Sequence, residues 1–111
     1  MAKDWKLYLL HVLDCIDKIN IICNRGDISE DFVLYDAVLR NLQTLSESTA
    51  HFPEEIKLKY NQINWKGLSG FRNILVHDYL GDIDPETVKK IISDYLPELE
   101  GIVRQICARR D

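Results

Sequence analysis

Glycine, proline and cysteine are scarce in this chain of 111 residues, which contains 5 glycines, 3 prolines and 3 cysteines. So few turn-forming residues cannot separate the many short strands of a β-sandwich or barrel, and the composition therefore favours long helices. The cysteines are odd in number and form no CxxC pair, which argues against a disulfide framework and a zinc knuckle. We interpret them as reduced and mostly buried. A chain of this length supplies one hydrophobic core, so we expect residues 1–111 to form a single domain.

Long apolar runs and an excess of positive charge are also absent. No segment approaches the roughly 18 uncharged apolar residues that span a bilayer. The N-terminal segment is interrupted by Asp4, Lys6 and Asp14, unlike a secretory signal. We therefore expect a cytoplasmic protein with no membrane attachment. The net charge of −4 argues against a general nucleic-acid coat protein but allows a nuclease with a small, local cationic site.

Apolar residues recur at alternating steps of three and four along most of the chain, which is the spacing of an amphipathic helix. The first such helix is predicted over residues 5–23. The second is predicted to start with a capping box formed by Asp27 and Glu30 and to end near Ala50. Pro53 stops it and can open a short additional helix.

Two further helices are predicted from residues that are typical of helix starts and ends. Asn64 is a good N-cap for a helix that Gly81 could terminate. Asp84 followed by Pro85 starts the last helix, and Pro97 should bend or break it. Four main helices with short connections and one apolar stripe each predict an all-α fold, an antiparallel four- to five-helix bundle.

The helix after Asn64, which we call the motif helix, has an unusual polar face. At about 100° per residue, one arc carries Arg72, Asn73, His77 and Tyr79, interleaved with Val76 and Leu80. The opposite arc, predicted to pack into the bundle, carries Leu68, Phe71, Ile74 and Leu75. Polar groups mixed with two otherwise exposed aliphatic side chains indicate a partner surface that also performs chemistry.

The residue types on this arc suit cleavage of a phosphodiester. Arg72 could hold the phosphate and offset its developing charge, and His77 could transfer protons near neutral pH. Asn73 could orient the imidazole or donate to the phosphate, and such a site needs no metal. By spacing alone, a surface arginine and a structural histidine remain an alternative. Asp78 could support catalysis, but it could equally pair with a charge at the helix end or on a neighbouring helix. Tyr79 could be a packed ring with a solvated hydroxyl.

The run FRNILVHDYLGDID, with VKKIISDYLPELEGIV after it, resembles the HEPN superfamily and, within it, the HepT-like toxins of HEPN–MNT toxin–antitoxin pairs. The resemblance also covers YLLHVLDCIDKI near the start and AVLRNLQTLSES in the second helix. The family motif is R-x4-6-H, extended in HepT proteins to R-x4-H-x-Y. Arg72, His77 and Tyr79 occupy its positions, and Asn73 is the polar residue that commonly follows the arginine.

The resemblance implies a homodimeric ribonuclease that uses neither metal nor cofactor, with the two motif helices facing each other across a shared cleft. The implied reaction is attack of a ribose 2′-hydroxyl on the adjacent phosphodiester of tRNA or mRNA. In relatives, an MNT-type nucleotidyltransferase antitoxin neutralises the toxin by transferring AMP to the motif tyrosine, here Tyr79. The alternative is a noncatalytic HEPN subunit that binds substrate or nucleotide for such a transferase.

Other clusters have weaker signals. His11 and Cys15 lie one helical turn apart and could share a metal, although packing is the simpler interpretation. Asp36 and Glu47 on the second helix could face the motif helix and pair with Arg72 or Arg40. The sequence does not separate a structural from a catalytic role for Glu47.

Overall fold

The computed structural model describes residues 5–77 and 83–109, and within these ranges the chain is helical, with no β-strand. The helices are α1 (Lys6–Arg25), α2 (Phe32–Thr49), α3 (Glu54–Lys59), α4 (Trp65–His77), α5 (Pro85–Lys90) and α6 (Leu96–Arg109), with a π-helical turn at Ile91–Tyr95 between the last two. α1 packs on α2 and α6, and α2 also packs on α4. This arrangement confirms the predicted all-α bundle. None of the helices in the described ranges is long and apolar enough to cross a membrane.

The core lies where the apolar stripes of α1, α2 and α6 meet. Its most deeply buried side chains are Val12, Ile16, Ile19, Val38, Leu42, Leu45, Leu99 and Val103. Full burial of one such side chain contributes about 1.5–3 kcal/mol, so this cluster stabilises the packing of α1, α2 and α6. The apolar stripe of the first helix is buried at Leu9, Val12, Ile16 and Ile19, as its spacing predicts, whereas Trp5 and Cys23 at its two ends are half-buried.

The predicted start of the second helix is wrong. Asp27 does not form a capping box with Glu30, because its side chain accepts hydrogen bonds from the backbone N–H and the hydroxyl of Ser29, at 2.9 and 2.7 Å. The chain makes a turn there and enters α2 later. Asp31 is the N-cap, and its carboxylate accepts from the backbone N–H of Val33 at 2.9 Å. Two aspartates within one turn of each other both suit a helix start, and the second one is used.

The other helix boundaries agree with the sequence. α2 ends at its C-cap Ala50, as predicted. The Asn64 side chain accepts from the backbone N–H of Gly67 at 2.9 Å, and the Asp84 side chain accepts from the backbone N–H of Glu86 at 3.1 Å. Both residues are therefore N-caps. Gly81, the predicted end of the motif helix, lies outside the described residues.

Pro97 perturbs the last helix without breaking it. A proline inside a helix removes one backbone donor and clashes with the carbonyl group four residues before it. The chain accommodates this with the π-helical turn, in which the Leu96 N–H donates to the carbonyl of Ile91, five residues back. The helical direction continues into α6, so the predicted disturbance takes the form of a wider turn.

Candidate functional site

The motif helix α4 has a firmly held first turn. The indole N–H of Trp65 donates to the backbone carbonyls of Lys57 and Tyr60, each at 3.1 Å. The Trp65 ring also packs edge-to-face on Phe52, with 5.8 Å between ring centroids. These contacts fix α4 against α3 and the end of α2, and so provide a rigid base for the residues further along α4.

The packed side of α4 is narrower than the sequence predicts. Leu68 and Leu75 are 5% and 2% exposed, whereas Phe71 is only half-buried. Ile74, predicted to pack into the bundle, is 44% exposed, so this part of the prediction is wrong. The reason is that α4 packs chiefly on α2, which covers the side of Leu68 and Leu75 and leaves the side of Ile74 open.

Arg72 lies at the edge of the packed side and is half-buried. Its Nη2 donates to Oδ1 of Asn73 at 3.3 Å. Within residues 5–77 and 83–109, no carboxylate lies at ion-pair distance from the guanidinium. Glu47 instead accepts a hydrogen bond from the side chain of Gln43 at 3.4 Å, and Asp36 is exposed. The predicted pairing of Asp36 or Glu47 with Arg72 is therefore absent, and the positive charge of Arg72 has no counter-charge in the described part of the chain.

His77 is the last residue of α4 and follows exposed Asn73 by one turn. Helix geometry places its backbone position about 140° around the axis from that of Arg72 and about 7.5 Å further along. The side chain of His77, and the whole of Asp78 and Tyr79, lie outside what the structure describes. The arginine and histidine of the motif therefore occupy positions on different sides of α4.

An apolar groove of about 470 Å³ runs beside the open side of α4. Its lining consists chiefly of Gly67, Gly70, Phe71 and Ile74 of α4 with Ile91 and Tyr95 of the π-helical turn. A Cβ atom added at Gly70 would meet no atom within 4 Å, so the packing of this chain does not require glycine there. The surface can therefore admit the close approach of another helix. This groove was not predicted from the sequence, although its four α4 residues follow the helical spacing i, i+3, i+4, i+7.

One wall of this groove is held by a tyrosine. The hydroxyl of Tyr95 donates to the backbone carbonyl of Asn64 at 2.8 Å, which ties the π-helical turn to the start of α4. Burial raises the pKa of Tyr95, and the nearby charge of Glu98 acts in the same direction. The phenol therefore stays protonated and keeps donating this hydrogen bond at all physiological pH values.

The His11 and Cys15 pair is not arranged as a metal site. Cys15 is buried, and burial raises the pKa of its thiol. His11 is exposed and lies edge-on to the ring of Tyr8, with 5.4 Å between centroids. In the part of the chain that the structure describes, no three His, Cys, Asp or Glu side chains lie close enough to hold a metal ion together. Packing in the core, and not metal binding, is therefore the interpretation that fits Cys15.

Comparisons with known proteins agree on one family. The family model described as "Ribonuclease HepT-like" matches residues 12–106. A protein of Methanocaldococcus jannaschii named "Gamma-glutamylcyclotransferase and putative RNase" is 31% identical over the whole of this chain, which spans 51% of that protein's length. A "Putative RNase" of Caldanaerobacter subterraneus subsp. tengcongensis is 32% identical, over 89% of this chain and 90% of that one. The "Probable ribonuclease HepT" of Thermococcus cleftensis is 28% identical, over 91% of this chain and 94% of that one. No solved structure matches.

Proposed function

Because this chain belongs to the HepT-like family of the HEPN superfamily, we propose that it is an endoribonuclease that works without a metal ion and acts as the toxin of a toxin–antitoxin pair. The observation that carries the proposal is the environment of Arg72. A half-buried guanidinium with no carboxylate beside it in the described residues is suited to an external anion. The anion that an arginine fork fits best in RNA is a backbone phosphate.

The active form in this proposal is a homodimer. Arg72 and His77 occupy positions about 140° apart on α4, so a single copy of this helix is poorly suited to directing both side chains at the same phosphate. A second copy related by a twofold axis brings a second arginine and a second histidine to the same cleft. The exposed Ile74 and the apolar groove beside it support this arrangement, because a large apolar side chain next to a functional surface is typical of an interface.

The proposed reaction is transesterification within the RNA chain, on tRNA or mRNA. One His77 removes the proton of a ribose 2′-hydroxyl, and the resulting oxygen attacks the adjacent phosphorus. The bond from phosphorus to the 5′-oxygen breaks, and the second His77 supplies the proton that this leaving oxygen takes up. Arg72 and Asn73 bind the phosphate oxygens while charge develops on them. The products are a 2′,3′-cyclic phosphate and a 5′-hydroxyl.

The proposed antitoxin is a nucleotidyltransferase of the MNT type. It would transfer AMP from ATP to Tyr79, so that the phenolic oxygen bonds to the α-phosphorus, the phenolic proton is lost to solvent and pyrophosphate leaves. A bulky anion attached two residues after His77 would occupy the RNA cleft and pair with its arginines. Modification at this position therefore gives a direct way to block RNA binding.

The test compares RNA cleavage in EDTA, and growth arrest in cells, for the wild type and for Arg72→Ala and His77→Ala. We expect each variant to lose at least about a hundredfold in cleavage rate, the usual scale for loss of one acid–base or charge-stabilising group. Lys66→Ala, which removes an exposed positive charge from the same helix, is the matched control and should keep its activity. If the wild type forms a dimer but neither arrests growth nor cuts RNA, the noncatalytic HEPN subunit becomes the better description.

A further inference from the structure

A long-range hydrogen bond holds the backbone shortly after the motif. The hydroxyl of Tyr35, in the first turn of α2, donates to the backbone carbonyl of Ile83 at 2.5 Å. These two residues are 48 positions apart in the chain. Ile83 follows His77 by six positions in the sequence. The bond therefore ties the backbone close behind the motif histidine to a different helix of the bundle.

Tyr35 is a firm anchor, because its ring is part of the packed interior and its hydroxyl keeps its proton. The rings and side chains of Tyr35 and Ile83 are half-buried and pack against the core. Burial raises the pKa of Tyr35, and the charges of Asp84 and Asp36 act in the same direction. The phenol therefore remains a hydrogen-bond donor at physiological pH.

The residue after the anchored carbonyl begins a helix. Asp84 is the N-cap of α5, and its carboxylate accepts from the backbone N–H of Glu86 at 3.1 Å. The Tyr35 bond thus joins the first turn of α2 to the backbone just before the start of α5. Both partners belong to well-defined parts of the bundle, so the bond fixes a definite point in the path of the chain.

A second tyrosine makes the same kind of bond at the other end of the motif helix. The hydroxyl of Tyr95 donates to the backbone carbonyl of Asn64 at 2.8 Å, directly before α4 begins. One phenol therefore holds the backbone before α4, and the other holds it after the motif. Fixing both ends of a segment removes many of the conformations that are open to the residues between them.

We propose that Tyr35 is a positioning residue for the second half of the motif. Its hydroxyl holds the Ile83 carbonyl and thereby restricts the path that the chain takes from His77 onward. Arg72 is placed separately, by the packing of α4 on α2. The inference rests on the proposed function, because the role of Tyr35 is to align His77 with the phosphate that Arg72 binds.

Steady-state RNA cleavage by Tyr35→Phe tests this role, because phenylalanine keeps the packed ring and removes only the hydroxyl. We expect kcat to fall about tenfold, since a displacement of about 1 Å in a reacting group can cost up to about a hundredfold in rate. KM should stay within about twofold, because Arg72 still binds the phosphate. The split between kcat and KM therefore separates alignment from binding.

Thr49→Val is the matched control. The Thr49 hydroxyl donates to the backbone carbonyl of Ser46 at 2.8 Å, so this variant also loses a hydrogen bond from a side chain of α2 to a carbonyl. Thr49 lies about 21 Å further along the helix than Tyr35. Both variants should melt at a lower temperature than the wild type, measured by circular dichroism. Only Tyr35→Phe should lose kcat.

The outcomes distinguish this inference from the proposed function. An active wild type with unchanged kcat in Tyr35→Phe overturns the positioning role but not the nuclease. Equal losses of kcat in Tyr35→Phe and Thr49→Val overturn it too, because reduced stability then explains both. A higher KM with unchanged kcat in Tyr35→Phe assigns the residue to RNA binding and overturns alignment. A wild type that cuts no RNA overturns the proposed function, and the role of Tyr35 with it.

Discussion

The ammonium nitrogen of Lys89 lies 2.7 Å from Oδ1 of Asp27, which connects α5 to the turn before α2. Lys89 also donates to the hydroxyl of Ser29 at 3.2 Å and lies 3.5 Å from a carboxylate oxygen of Glu86. Hydrogen bonds from Lys89 and Ser29 lower the pKa of Asp27 from its ordinary 3.8 to about 2. This group of residues fixes α5 next to the turn that leads into α2.

The lowered pKa predicts a loss of stability in acid. A carboxyl group with a lower pKa in the folded state stabilises the fold fully above about pH 4, and this contribution is lost as the pH falls from about 4 to 2. Between these values the melting temperature of the wild type should therefore fall more steeply than that of Asp27→Asn. The groups are exposed, so the difference should be small and should shrink in high salt. Melts followed by circular dichroism at several pH values measure it, and parallel pH profiles would contradict the prediction.

Ile74→Asp should prevent dimer formation. In the proposed dimer a carboxylate at this position would lie unpaired in the middle of an apolar interface, so the dimer dissociation constant should rise about a hundredfold or more. Light scattering coupled to size-exclusion chromatography gives the mass of each species. Phe32→Asp is the matched control, because Phe32 is 76% exposed on α2, away from the groove, and this variant should still dimerise. A stable Ile74→Asp dimer would remove α4 from the interface.

Coexpression with an MNT-type nucleotidyltransferase, the proposed antitoxin, should add one or more adenylyl groups to the chain, detected as an increase in intact mass. Tyr79→Phe removes the acceptor oxygen and should keep the unmodified mass under the same conditions. It should also remain toxic when the transferase is present. An adenylylated Tyr79→Phe protein would show that another side chain is the acceptor.

Ser46→Ala should stabilise the protein. Ser46 is 2% exposed, and its hydroxyl has no hydrogen-bond partner in the described residues, so removing the hydroxyl should raise the free energy of unfolding by about 1 kcal/mol. Thr49→Val is the comparison on the same helix. The Thr49 hydroxyl donates to the Ser46 carbonyl at 2.8 Å, and its loss should lower stability by a similar amount. Urea unfolding at equilibrium measures both, and a destabilised Ser46→Ala protein would contradict the prediction.

The sequence predicts the helices well because each of them has one face in a shared core. Helical spacing then identifies the buried residues without knowledge of their neighbours, as it does for Val12, Ile16 and Ile19. The start of α2 is different, since Asp27 and Asp31 are both good caps. Which of the two caps α2 depends on hydrogen bonds that form only in the folded protein. One of these comes from Lys89, which lies far along the chain.

The sequence predicts which residues form the candidate site, but it predicts less well what packs around them. The motif indicates Arg72 and Asn73, and both lie where a ligand can reach them. The exposure of Ile74 is not predictable, because helical spacing shows which residues share a side but not how far a neighbouring helix extends. The absence of a carboxylate beside Arg72 likewise depends on the position of α2 and on the hydrogen bond between Gln43 and Glu47.

The π-helical turn at Ile91–Tyr95 sets the rotation of everything after it. One residue inserted into a helix turns the following part by about 100°. The apolar residues of α6, among them Leu99 and Ile106, meet the core only because this additional residue is present. Deleting Ser93, which is exposed, would leave the composition of α6 intact yet swing its apolar stripe toward water. The number of residues in this segment is therefore under stricter constraint than their identity.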